Sequence, residues 1–333
     1  MSAPDIFKDI AKQKTLEQQG FVVIPNFLNT EEINLMDQTF EKLHKELPSS
    51  GFFAGSYSSD FEYKKKVSEE IKVVYNRAYE THFKDYTPFG GAFLFKMPSP
   101  DSDLFIHQDW TVVDESKDIA LNIWVPLCDI SMENGPLMVL PGSHYDNFPT
   151  LRAPTMRYFF DQDYERAIRQ LEPILVNAGT AVVLNQSLVH YSPPNRSGKI
   201  RKAITAGIKT KDAQMIFHFK DPNKDENVLE KFEMDDDFFI HFENFFEDIY
   251  KRPAVGKSVG FIDYTPPSLI GKELEKTLKE MKTSAGFSYI PEEKPPVEET
   301  SEETKEEEKT LPFWKIYTPL NILREIKLRI TGS

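Results

Sequence analysis

Phe105-Ile106-His107-Gln108-Asp109-Trp110 is the stretch from which the fold and the chemistry are read. In an extended strand side chains alternate faces. His107 and Asp109 then point one way, and Ile106, Gln108 and Trp110 the other. An imidazole and a carboxylate side by side are two corners of a metal site, and nitrogen and oxygen donors suit Fe(II), Mn(II) or Zn(II). Alone, the pair fits equally a surface strand carrying two polar residues, so the surroundings have to decide.

Working outward, residues 91 to 210 consist of short apolar runs broken by turn residues, the pattern of an antiparallel β domain. Strands are expected at 91–97, 104–110, 119–126, 136–140, 173–176, 180–185 and 201–209, with turns at Asn134-Gly135 and Pro141-Gly142-Ser143. Residues 160–171 read as a helical insertion. On the N-terminal side, 1–19 is a short helix or loose arm, and Gly20 to Pro25 is a brief strand stopped by proline. Asn29-Thr30-Glu31-Glu32 then caps a helix carrying Ile33, Met36, Phe40, Leu43 and Leu47. Residues 48–60 read as an aromatic-bearing loop, with Phe52 and Tyr57 as lid or packing residues, and 67–86 as a helix. Further helices are expected at 235–250 and 267–282.

The chain has 333 residues and a net charge of −13, which argues against nucleic acid as a general partner. One cysteine, Cys128, excludes an internal disulfide framework and fits a reducing compartment. Residues 1–19 lack the apolar core of a signal peptide, and no apolar run approaches the roughly 18 residues needed to span a bilayer. The expectation is a cytoplasmic protein with no transmembrane segment. Residues 1–290 are expected to form one domain, its β core at about 91–210 and helical additions on both sides. Residues 291–310 carry nine Glu and three Lys with Val297 the only aliphatic, and read as an acidic disordered linker. In 311–333, Ile322, Leu323, Ile326 and Ile330 form one stripe flanked by Arg324, Lys327 and Arg329, a basic amphipathic segment. It has three readings: docking on its own domain, on a partner or another subunit, or on an anionic membrane surface.

A metal site needs a third ligand. Of His44, His82, His144, His190, His218 and His241, the one with a telling context is His190, which ends a strand and opens a turn-rich loop leading into the strand Ile200 to Ile208. On that strand Arg201, Ala203, Thr205 and Gly207 share a face. An inward arginine beside small residues is costly without an acid, and the space beside it suits the acid of a bound ligand. His107, Asp109 and His190 together suggest a 2-His-1-carboxylate facial triad with open positions, and Arg201 a bidentate grip on a carboxylate such as that of 2-oxoglutarate.

From about Gly20 to Ile208 the sequence resembles the phytanoyl-CoA dioxygenase-like branch of the Fe(II)/2-oxoglutarate-dependent oxygenases. The resemblance is carried by Gly20 to Pro25 before a capped helix, His107-Gln108-Asp109, Trp124-Val125-Pro126-Leu127, Asn134-Gly135-Pro136-Leu137, Pro141-Gly142-Ser143-His144, His190 with Ser192, and Arg201 eleven residues beyond His190. It implies a mainly β fold with helical additions, the core a double-stranded β-helix or cupin-like jelly roll. It implies Fe(II) at His107, Asp109 and His190, and 2-oxoglutarate held by Arg201 with Ser192. Trp124 and Asn122 are expected to line the same pocket, and Lys96 stands where some relatives place a co-substrate contact. The implied reaction consumes O2 and 2-oxoglutarate, releases succinate and CO2, and hydroxylates, desaturates or cyclises an unactivated C–H of a small-molecule or acyl substrate. Halogenating relatives replace the carboxylate with a small residue, so Asp109 argues against halogenation.

Two other classes stay open: a non-catalytic jelly-roll sensor of metal or ligand, and a Zn or Mn cupin-type hydrolase or isomerase, which leaves Arg201 without a task. His144 reads as structural, not as a fourth ligand. Arg152, Arg157 and Arg169 read as solvated.

Overall fold

A computed structural model describes residues 4–144, 151–156, 160, 163–224, 227–267 and 269–287. The expected linker at 291–310 and the amphipathic segment at 311–333 lie outside the described residues, as does Arg157. The strands are β1 (Phe21–Ile24), β2 (Phe52–Ala54), β3 (Tyr86–Lys96), β4 (Leu104–His107), β5 (Ala120–Pro126), β6 (Leu137–Val139), β7 (Glu172–Ile174), β8 (Ala181–Asn185), β9 (His190–Ser192), β10 (Arg201–Thr210), β11 (Met215–Phe219), β12 (Val228–Met234) and β13 (Lys257–Asp263). The helices are α1 (Ile10–Gln19), α2 (Thr30–Leu43), α3 (Phe61–His82), α4 (Tyr164–Ile168), α5 (Phe245–Asp248) and α6 (Gly271–Ser284).

The eight consecutive strands β3 to β10 divide between two antiparallel sheets. One has the order β8-β5-β10-β3, extended by β1 beyond β8 and β2 beyond β3; the other has the order β4-β9-β6-β7. Counted from β3 as the first strand, the sheets run 6-3-8-1 and 2-7-4-5, the order of a double-stranded β-helix. The sheets face each other, because Trp124, Val182, Leu184 and Ala203 of the first share one core with Leu137, Val139 and Ile174 of the second. No ladder among the described residues joins them, so the jelly roll is a pair of facing sheets and not a closed barrel.

Each outer face has its own helical cover. The capping box of Asn29 and Glu32 fixes the start of α2, a device worth about 0.5–2 kcal/mol. Met36 and Phe40 of α2 pack with Val67, Ile71 and Tyr75 of α3 on the outer residues Phe93, Phe95, Ile123, Val125 and Ile204. The other sheet is covered by α4 and α6, whose Ala167, Ile168, Leu274, Leu278 and Met281 meet Ile106, Met138 and Tyr191. Gly142, at φ +81°, lets that cover close: a Cβ there would lie 2.7 Å from the Met281 carbonyl oxygen.

Several boundaries differ from expectation. The helix expected at 67–86 begins at Phe61, because Asp60 accepts from the Tyr63 amide, and it ends at His82 where β3 is about to start. The loop at 48–60 contains β2 and a 3₁₀ turn, Gly55–Tyr57. A single helix at 235–250 is replaced by a 3₁₀ turn, Phe238–His241, and the one-turn α5. Its many phenylalanines are drawn onto Trp110 and onto one another, which overrides local helix propensity. The sheet β11-β12-β13 was not foreseen. Its edge strand β13 is mostly exposed and lacks the apolar alternation that would announce it.

Candidate metal centre and co-substrate pocket

The ladder between β4 and β9 sets His107 directly opposite His190, with ring centroids 4.1 Å apart. The expected strand 104–110 stops at His107, so alternation does not carry Asp109 to the same side. The chain instead turns: Gln108 Nε2 donates to the Ser187 carbonyl at 2.6 Å, and Arg152 Nε donates to the Asp109 carbonyl at 2.8 Å. The turn still delivers Asp109, whose Oδ1 lies 3.8 Å from His107 Nε2 and 4.0 Å from His190 Nε2. One donor atom from each residue falls within 4.8 Å of the other two. Small side-chain rotations bring such a set onto one divalent ion with bonds of about 2.1 Å.

Both rings are held for that purpose. His107 Nδ1 lies 2.7 Å from the Phe105 carbonyl and His190 Nδ1 2.9 Å from the Leu188 carbonyl. A neutral ring that gives its Nδ1 hydrogen to a carbonyl keeps the Nε2 lone pair free for a metal. Burial, reinforced by the neighbouring His190, pushes His107 down to about 4, so this ring is neutral at physiological pH. The carboxylate is oriented as well. Asn122 Nδ2 donates to Asp109 Oδ2 at 3.1 Å, and the Thr205 hydroxyl donates to Asn122 Oδ1. Arg152 adds a forked pair with Glu115 to its bond with the Asp109 backbone. It is therefore buried, not solvated as expected, and its long aliphatic stem and guanidinium belong to the wall of the site.

Arg201 is 3% exposed and lines the same cleft as the three donors. Its Nε has no hydrogen-bond partner, and no carboxylate of the described residues lies within 4.0 Å of its guanidinium. The Trp124 ring supports it from one face, 5.4 Å from the guanidinium carbon. Burial pushes Arg201 down to about 10, which leaves it cationic near neutral pH. A buried cation without an acid is the arrangement a bound anion completes.

The remaining expected site residues fare differently. Trp124 and Asn122 do line the cleft. Ser192 lines it too, but its hydroxyl donates to the Gly135 carbonyl at 3.1 Å, so its hydrogen is already committed. Lys96 is neither solvated nor part of the cleft wall. It is 0% exposed, and its ammonium donates to the carbonyls of Ser192 at 2.8 Å and Pro193 at 2.5 Å, bracing the loop after β9. His144 is structural, as expected, with Nε2 3.0 Å from the Glu17 carbonyl. Arg169 pairs with Glu165. Asn122 to Thr205 and Arg152 to Glu115 are the supports that sequence reasoning missed. The inward face shared by Thr205 and Arg201 was the one signal available for them.

The family model described as Phytanoyl-CoA dioxygenase (PhyH) matches residues 16–203. The chain belongs to the phytanoyl-CoA dioxygenase family. All three candidate metal donors and Arg201 fall within the matched span, whereas β11 to β13, α5 and α6 lie beyond it. Among curated relatives in this family, the phytanoyl-CoA dioxygenase domain-containing protein 1 homolog of Dictyostelium discoideum is 28% identical over 173 residues, covering 47% of this chain and 56% of that protein. The peroxisomal phytanoyl-CoA dioxygenase of Homo sapiens is 25% identical over 237 residues, covering 62% of this chain and 70% of that protein. The chain spans about half the length of the curated relatives it matches. A solved structure, the non-haem alpha-ketoglutarate-dependent carbocyclase SnoK from nogalamycin biosynthesis, is similar at a TM-score of 0.45 with 20% identity, covering 62% of this chain and 86% of that one. No helix among the described residues is long and apolar enough to cross a membrane.

Proposed function

We propose that this chain is an Fe(II)- and 2-oxoglutarate-dependent oxygenase. His107, Asp109 and His190 would hold the iron, and Arg201 the far carboxylate of 2-oxoglutarate. Residues 1–290 would act as one catalytic domain. The observation that supports the reading is a buried guanidinium with no carboxylate of the described residues within 4.0 Å, in the cleft that also holds a 2-His-1-carboxylate cluster. A Zn or Mn cupin-type hydrolase or isomerase leaves that cation without a task.

When bound, the iron and its co-substrate supply an oxidant for an unactivated C–H, with O2 and 2-oxoglutarate consumed and succinate and CO2 released. The chain's own part is positioning. Carbonyls of Phe105 and Leu188 fix both imidazoles in the Nε2-ligating form. Asn122 and Arg152 set the carboxylate and its backbone. Trp124 supports the Arg201 guanidinium from one side, and its forked N–H groups would meet a carboxylate in bidentate fashion. Keeping water from the reacting centre falls to the aromatic residues around it. Because Asp109 stays in place, insertion of oxygen or removal of hydrogen is favoured over halide transfer. The substrate is a small molecule in this reading.

The test is oxygen-dependent turnover of the purified chain with Fe(II). Succinate and CO2 should form from 2-oxoglutarate in equal amounts, and neither should form when Zn(II) replaces iron. Activity indifferent to oxygen and 2-oxoglutarate would instead support the hydrolase or isomerase, and ligand binding with no succinate under any substrate the sensor.

A further inference from the structure

The substrate's chemical class is written in the part of the cleft that the metal and Arg201 do not use. This step rests on the oxygenase reading of the same site. Among the described residues, the cations along the cleft other than Arg201 are already engaged. Arg152 is forked onto Glu115, Arg166 lies 3.0 Å from Asp163 and 3.1 Å from Glu275, and Arg169 lies 3.2 Å from Glu165. Lys64 donates to the Phe242 carbonyl, and Arg196 is not free either. A guanidinium facing a carboxylate offers a phosphate little net charge, and the chain's net charge of −13 opposes a polyanion at longer range.

The rest of this part of the cleft wall is aromatic. Trp110 follows Asp109 directly and stacks on Phe245, their planes 6° apart at 6.0 Å. Tyr57 lies 4.7 Å from Phe245 and 4.7 Å from Phe246. All of them line the cleft that holds His107, Asp109 and His190. Phe246 and Tyr250 also line the cleft and remain 56% and 55% exposed, and exposed apolar surface of this kind marks ligand-binding grooves. Phe245, Phe246 and Tyr250 lie beyond residue 203, where the family match ends, whereas Tyr57 and Trp110 lie within it.

We infer that the primary substrate is an uncharged molecule with an extended apolar body that lies along the wall of Tyr57, Trp110, Phe245 and Phe246, and not an acyl-CoA thioester. Its reacting carbon is then carried past Trp110 to the metal beside Asp109, while Arg201 stays with the co-substrate.

The test uses the full chain with Fe(II) and 2-oxoglutarate under argon, and 1-pyrenemethanol as a neutral fluorescent probe read by anisotropy. Binding should saturate, and Phe246→Asp, a change at an exposed position, should weaken it at least tenfold. Dodecanol should displace the probe at least tenfold more effectively than dodecanoyl-CoA, which carries the same tail on a charged carrier. No saturable binding, a smaller loss in Phe246→Asp, or displacement by dodecanoyl-CoA within tenfold of dodecanol or better overturns the inference. The visible band of the iron and 2-oxoglutarate complex, recorded in the same wild-type samples, separates the two failures. A missing band counts against the oxygenase reading. A band without the expected probe behaviour counts against the apolar substrate alone.

Discussion

Replacing Arg201 by methionine is expected to raise the apparent KM for 2-oxoglutarate by about 100-fold or more and, at the same time, to raise the melting temperature of the metal-free protein. The first effect follows from losing two charge-assisted hydrogen bonds, each worth about 1.5–3 kcal/mol, where about 1.4 kcal/mol is tenfold. The second follows from the absence of any acid beside the guanidinium among the described residues. Desolvating an unpaired cation costs several kcal/mol. A methionine of similar reach, packed against Trp124, removes that cost, so an increase of a few degrees is expected. Removing the cation leaves no orphaned carboxylate to destabilise the core. Thermal unfolding with and without 2-oxoglutarate reads both effects, since the co-substrate should stabilise the wild type and leave Arg201→Met unchanged. A variant that is less stable when free and still stabilised by 2-oxoglutarate would mean that the arginine serves the fold and not a ligand.

Asp109→Ala should reduce succinate formation at least about 1000-fold, beyond the 10–100-fold typical of losing an outer support of a metal site. It deletes the one anionic donor of the cluster while sparing the scaffold. Arg152 bonds the Asp109 backbone carbonyl, which alanine retains, and Asn122 keeps its bond from Thr205. The melting temperature should therefore stay within a few degrees of wild type while iron affinity collapses, as followed by equilibrium dialysis. Retention of more than a tenth of wild-type turnover would remove Asp109 from the metal.

The parts of this site that were readable from sequence are those with a chemical signature and a fixed offset. His107 and Asp109 are two residues apart, His190 precedes a turn-rich loop (it opens β9 and does not end a strand as expected), and Arg201 opens the strand after that loop on an inward face. Seven of the eight core strands were readable for the same reason, since turn residues separate their apolar runs; the three-residue β9, His190–Ser192, was not expected. What was not readable depends on registers that only the folded chain sets. Asn122 and Thr205 meet because β5 and β10 pair with Asn122 opposite Gly207 and Trp124 opposite Thr205. Arg152 comes from an irregular segment and finds Glu115 only through the tertiary fold. Lys96 looks like a solvated strand end, yet the loop after β9 closes over it and takes both of its bonds through carbonyls. The region 235–250 has the composition of a helix, but its rings are worth more against Trp110 than in a regular turn.

The most direct measurement is an anaerobic titration of the purified chain with Fe(II) in the presence of 2-oxoglutarate, followed in the visible. A broad metal-to-ligand charge-transfer band should grow to saturation at one iron per chain, and at the same 2-oxoglutarate concentration it should be lost in Arg201→Met and in Asp109→Ala. A wild-type chain that binds iron yet shows no such band at any 2-oxoglutarate concentration, or a band that survives both substitutions, would contradict the assignment of this cleft.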